Sequence, residues 1–188
     1  MIGAILNKRM RIVNQSQLDR GNYAVTCELD AHGFYDAHVH AVNTRLVPLG
    51  VAYGWHSFGG SGDISIPRVS LARLSHIWRG GYTSLRDVLR HEFAHAIADT
   101  HRGLFRSAFF SDSFGAGHHW DFEWEYDPEH HVSEYAATAP GEDFAETFML
   151  YIRHRGRLPE WHATRPIVRK WKFIRLLSDA ISCGMRRW

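Results

Sequence analysis

The segment His91-Glu92-Phe93-Ala94-His95 constrains this chain more than any other five residues in it. On a helix, histidines four positions apart lie on one face and can share a zinc ion. The glutamate between them can then reach a water bound to that ion. The chain carries 14 histidines in 188 residues, so chance alone would place such a segment roughly 0.05 times, and the surroundings have to carry the argument. They read as a helix over 84–102. Ser84 is placed to cap it, with Asp87 reaching back at the third position. Leu85, Val88, Leu89, Phe93, Ala96 and Ile97 recur at helical rather than strand spacing, and Gly103 is a natural stop. Asp99, four residues beyond His95, continues the same stripe. Either it orients a metal ligand from behind, or it is a solvated carboxylate near a helix end.

A catalytic zinc takes three protein ligands and keeps a fourth position for water. The best source of the third is the stretch 133–148. Pro140 can open a helix there, and Glu142 and Asp143 suit the positive end of its dipole. Phe144, Ala145, Phe148 and Ile152 supply an apolar face. Glu142 and Glu146 stand one turn apart, so both can point toward the first helix. Carboxylates turned inward are expensive unless a cation meets them. Spacing leaves the choice between Glu142 and Glu146 open.

The two segments together, His91-Glu92-Phe93-Ala94-His95 and Tyr135 followed after six residues by Glu142-Asp143-Phe144-Ala145-Glu146, resemble the zinc endopeptidases of the anthrax lethal factor type. That group includes the secreted Pro-Pro endopeptidases. The resemblance covers about residues 84–152. It implies Glu142 as third zinc ligand, Glu146 as a residue supporting the ligands, Glu92 as general base and Tyr135 as hydrogen-bond donor to the oxyanion. It also implies one zinc per chain, a protein or peptide substrate, and an α+β, zincin-like single domain over 1–188 with its motif-bearing core at about 50–155. In that architecture a small N-terminal sheet, with an edge strand before the metal helix, precedes a mostly helical C-terminal part.

Residues 53–67 fit the edge strand: a glycine-broken loop, then alternation of Ile64 and Ile66 with Asp63 and Ser65. Gly62, Ile64 and Ile66 are therefore the expected substrate-binding residues, pairing with an extended peptide by strand addition. Pro67 is easier to place at an edge than in a sheet centre. The remaining layout is a strand-containing part over about 10–67, a short helix near 69–79, and helices near 140–154 and 166–182. The long segment 103–139 is expected to be irregular, apart from Trp120, Phe122, Trp124 and Tyr126, which alternate with acidic residues as in a two-faced strand. Its His118, His119, His130 and His131 lack ligand spacing and read as solvated.

Composition sets the outer limits. At 45% hydrophobic residues the chain can bury one substantial core. It has no apolar run long enough to cross a membrane, and Met1–Val13 lacks the order of a secretory signal. The expectation is a chain that acts in its own cytoplasm or leaves by a signal-independent route. A net charge of +2 is too small to argue for nucleic acid, and the C-terminal arginines read as a solvated helix face. Cys27 and Cys183 could pair, though nothing requires it. Two other readings stay open: a non-catalytic, zinc-stabilised interaction domain and a DNA-associated zinc protease.

Overall fold

Helix formation begins further upstream than the sequence pattern marks. A computed structural model describes residues 13–48, 54–58, 61–68 and 84–188, and in it Gln15–Ala31 form helix α1. Asn14 caps it by accepting from the Gln17 N–H, and the Gln17 side chain accepts from the Asn14 N–H, so two orphan donors are satisfied at once. Leu18, Gly21, Val25 and Leu29 form its buried stripe. Gly21 lets α1 lie close to the metal-motif helix, since a Cβ there would stand 3.1 Å from Leu89 Cδ1. The strand-containing part expected over 10–67 is thus helical in its first half. After the short helix α2 (Ala37–His40), strands occupy only its second half.

The sheet is β1 (Val42–Val47), β2 (Gly54–Phe58) and β3 (Ser61–Pro67), in the order β1-β3-β2. β1 runs parallel to β3 with Val42 opposite Gly62, and β2 runs antiparallel with Trp55 opposite Ile64. This corrects the expectation for Gly62, Ile64 and Ile66. β3 is the central strand, its backbone groups are bonded on both sides, and no extended peptide can add to it. Ile64 and Ile66 are fully buried, and Gly62 is glycine because a Cβ there would fall 2.3 Å from the Trp55 ring. Pro67 is tolerated at the centre because it ends the strand, and the next N–H, that of Arg68, takes over the bond to Val47 O. Among the described residues, the outer strands are β1 and β2.

Four helices follow in the metal-motif half: α3 (Leu85–Thr100), α4 (Arg102–Phe105), α5 (Ala108–Phe114) and α6 (Pro140–Arg153), with a 3-10 turn at Tyr135–Thr138 before α6. A second 3-10 turn at Glu160–His162 leads into α7 (Arg165–Ser182). Ser84 caps α3 as expected, accepting from the Asp87 N–H. α3 packs against α6 on one side and against α1, β2 and β3 on others, while α7 closes over α5 and α6. Phe93, Phe144, Phe148 and Phe173 are fully buried where these elements meet, and losing such a ring typically costs about 3–5 kcal/mol. The architecture is α+β with helices predominating.

Two local expectations fail. Gly103 does not stop the helix; it lies within α4, where a Cβ would meet Arg186 O at 2.1 Å as the C-terminal tail passes. Residues 120–126 form no strand. Their period-2 pattern finds no strand to pair with among the described residues, and the segment is pinned by single bonds such as Trp124 N–H to Ala137 O. Its aromatic residues are not all buried: Trp120, Phe122 and Tyr126 are exposed, and Trp124 is half-buried. The helix expected near 69–79 lies outside the described residues. Cys27 and Cys183 are exposed free thiols, and no helix among the described residues is long and apolar enough to cross a membrane.

Candidate metal centre

α6 is buried almost all round, from Pro140 to Met149, so any glutamate on it has to face a polar partner. Helical periodicity turns Glu142 and Glu146 to the same side, and that side meets α3 where His91 and His95 project. His91 Nε2 and His95 Nε2 are 3.1 Å apart. Glu142 Oε2 lies 3.1 Å from the first and 3.4 Å from the second. These three atoms form a group that can hold a metal ion. Four ligands placed tetrahedrally at 2.0–2.1 Å from an ion would stand about 3.3 Å from one another, close to the triangle observed.

Glu142 Oε2 supplies a second test of fit. It is buried and accepts no hydrogen bond, an arrangement that costs about 1–3 kcal/mol or more when nothing compensates it. The two imidazole nitrogens and the carboxylate oxygen stand within 3.1–3.4 Å of one another, as atoms that share one ion do. Burial works against ionisation of Glu142, but His91 and His95 outweigh it and hold the carboxyl well below its ordinary range. Burial likewise lowers the His91 pKa, and here Glu142 and Glu146 prevail, pushing it up to about 10. Glu142 and Glu146 thus both favour a positive charge at this position. His91 is almost wholly enclosed, whereas His95 and Glu142 keep 22% and 24% of their side-chain surface open. Solvent reaches the group from that side.

Behind this group, Glu146 Oε1 sits 2.9 Å from His91 Nδ1. Nδ1–H donates to it, so Nε2 is the nitrogen that faces Glu142 and that would give up its proton to bind a metal. Glu146 Oε2 in turn accepts from the Ser133 hydroxyl at 2.7 Å. Ser133 is a residue that sequence reasoning missed; it carries no spacing relation to either motif. Tyr135 lies with its ring 5.8 Å from the His91 ring. Burial and the carboxylates of Glu142, Glu92 and Glu146 push its phenol above the ordinary value, so it stays a donor. Glu92 is 7% exposed and makes no hydrogen bond to any described residue.

Asp99 is tied to two neighbouring elements. Its carboxylate accepts from Trp55 Nε1 at 3.3 Å and from the Arg102 guanidinium. It joins α3 to β2 and α4. The loop histidines depart from expectation. His119 and His130 are exposed, but His118 is half-buried against Phe105, Phe110 and Phe144. His118 packs over Gly141, next to Glu142, with its Nε2 unpartnered. His131 is only 7% exposed.

The His131 imidazole is lowered to about 4 from 6.5, by burial and then by the neighbouring Lys170 charge. In the unfolded chain it protonates first, so its effect on stability is absent above pH 6.5 and grows as a loss while pH falls from 6.5 to 4. We expect urea unfolding of His131→Gln to lose less stability than the native chain across that interval, by up to about 1.4 kcal/mol per pH unit. Parallel curves for the two proteins would contradict the placement of His131.

Comparison of the chain with protein-family models, with curated proteins and with solved structures finds no match.

Proposed function

We propose that this chain is a zinc-dependent endopeptidase. The observation that carries the reading is the convergence of His91 Nε2, His95 Nε2 and Glu142 Oε2 within 3.1–3.4 Å of one another, with Glu92 on the next helical position and Tyr135 beside His91. Two imidazoles and one carboxylate are a common donor set for catalytic zinc. A zinc ion held there would lower the pKa of a bound water toward about 7 and polarise a substrate carbonyl.

The chain's own residues supply the rest. Glu92 accepts the proton of the attacking water and returns it to the leaving amine. The Tyr135 hydroxyl donates to the oxygen on which charge develops. Glu146, steadied by Ser133, keeps His91 in the tautomer that presents Nε2. A scaffold role for the metal would need the three ligands and Glu146; it gives no reason for an enclosed Glu92 without a hydrogen-bond partner among the described residues. An extended substrate would have to approach along an outer strand of the sheet, and among the described residues β2 is the outer strand that lies against α3.

The direct test is metal removal. The purified chain should bind one zinc, hydrolyse an unstructured protein such as casein, lose that activity on dialysis against a chelator and regain it with stoichiometric zinc. A chain that binds zinc yet cleaves none of a broad peptide library would leave the metal with a structural role.

A further inference from the structure

A second concavity, of 770 Å³, lies between the segment Trp124–His131 and the N-terminal half of α7. That volume is within the range of small-ligand sites, about 300–1,000 Å³. Its aromatic surface comes from Phe114, Trp124 and Tyr126. Its charged groups divide by element. Arg165, Arg169 and Lys170 come from α7, while Glu125 and Asp127 come from the facing segment and Asp112 from α5. Lys170 is committed to Asp143 and to His130 O, and Asp127 to His130. Arg165, Arg169, Asp112 and Glu125 form no ion pair with any described residue, although all four line one cavity. Arg169 gives one N–H to the backbone carbonyl of Asp112 and keeps the rest of its fork. His131, 7% exposed, lines the same cavity and leaves its Nδ1 without a partner.

Charges of both signs without an ion-pair partner among the described residues, beside aromatic surface, match a ligand that carries both charges on an apolar body. We propose that this cavity binds a short zwitterionic peptide, its carboxylate toward Arg165 and Arg169 and its ammonium toward Glu125 and Asp112. A guanidinium fork suits a carboxylate, which it can meet with two parallel bonds. Trp124 and Tyr126 bury the side chains between the ends. The cavity is not the metal centre, but two bonds tie its lining to segments that carry that centre. Lys170 holds Asp143, the residue after Glu142, and Trp124 N–H is bonded to Ala137 O in the turn that carries Tyr135.

Calorimetric titration of the Glu92→Gln chain with the free tripeptide Ala-Phe-Leu, its N-acetyl form and its C-terminal amide tests this. The free tripeptide should saturate one site, and blocking either end should weaken it by about tenfold or more. Arg165→Gln combined with Arg169→Gln should reduce the free tripeptide to the affinity of the amide, and Glu125→Gln should reduce it toward that of the acetyl form. All three positions are exposed, so the fold should survive. Stripping zinc with a chelator should leave the affinity unchanged. Absence of saturable binding, or equal binding of the three peptides, would overturn the proposal. Binding lost on chelation would also overturn it, by moving the peptide to the metal centre, and would leave the peptidase reading intact.

Discussion

Glu92→Gln should leave zinc content and melting temperature unchanged and lower peptide hydrolysis by about 10²–10⁴-fold. The substitution keeps the shape of the side chain and removes only its ability to take a proton. Glu92 makes no hydrogen bond to a described residue, so the change breaks none there, and the three atoms that could hold a metal belong to other residues. Zinc stoichiometry and kcat on the same preparation separate this from a folding defect. Retention of more than about a tenth of native turnover would remove Glu92 from proton transfer. Tyr135→Phe provides the contrast. It too should keep the metal, but lose about 10²–10³-fold in kcat, the usual cost of one oxyanion donor.

Glu142→Ala should abolish stoichiometric zinc binding and activity together, whereas Glu146→Ala should keep the site and weaken zinc affinity by about 10–100-fold. The two glutamates are one turn apart on α6, yet only Glu142 Oε2 lies 3.1 and 3.4 Å from both Nε2 atoms. Glu146 faces His91 Nδ1 instead. Competition with a zinc-chelating dye measures both variants on one scale. If Glu146→Ala loses zinc while Glu142→Ala retains it, the ligand assignment is reversed and His91 must present its other nitrogen.

Much of this centre was legible in one dimension because its parts obey helical period. His91 and His95 share a face by their spacing of four, and so do Glu142 and Glu146. Ser84 and Pro140 mark the starts of their helices by capping chemistry that is local to the chain. The misreadings have a different origin. Alternation at Ile64 and Ile66 and at Trp120–Tyr126 states that a strand would have two faces. It does not state which neighbours are present, so one segment proved to be a central strand and the other no strand at all. His118 and His131 looked solvated because a histidine in a loop has no periodicity to betray its burial.

By itself, then, the sequence determined which side chains could stand on one helix face: the two histidines, the intervening glutamate, and a pair of carboxylates needing a cation. Only the tertiary structure decided which carboxylate meets the histidines, that Ser133 steadies Glu146, that Asp99 is claimed by Trp55 and Arg102, and that β3 has no free edge. Helical geometry is set by hydrogen bonds four residues apart and can be read from spacing. Pairing between elements is set by how buried surfaces fit across long stretches of chain, and no local spacing encodes it.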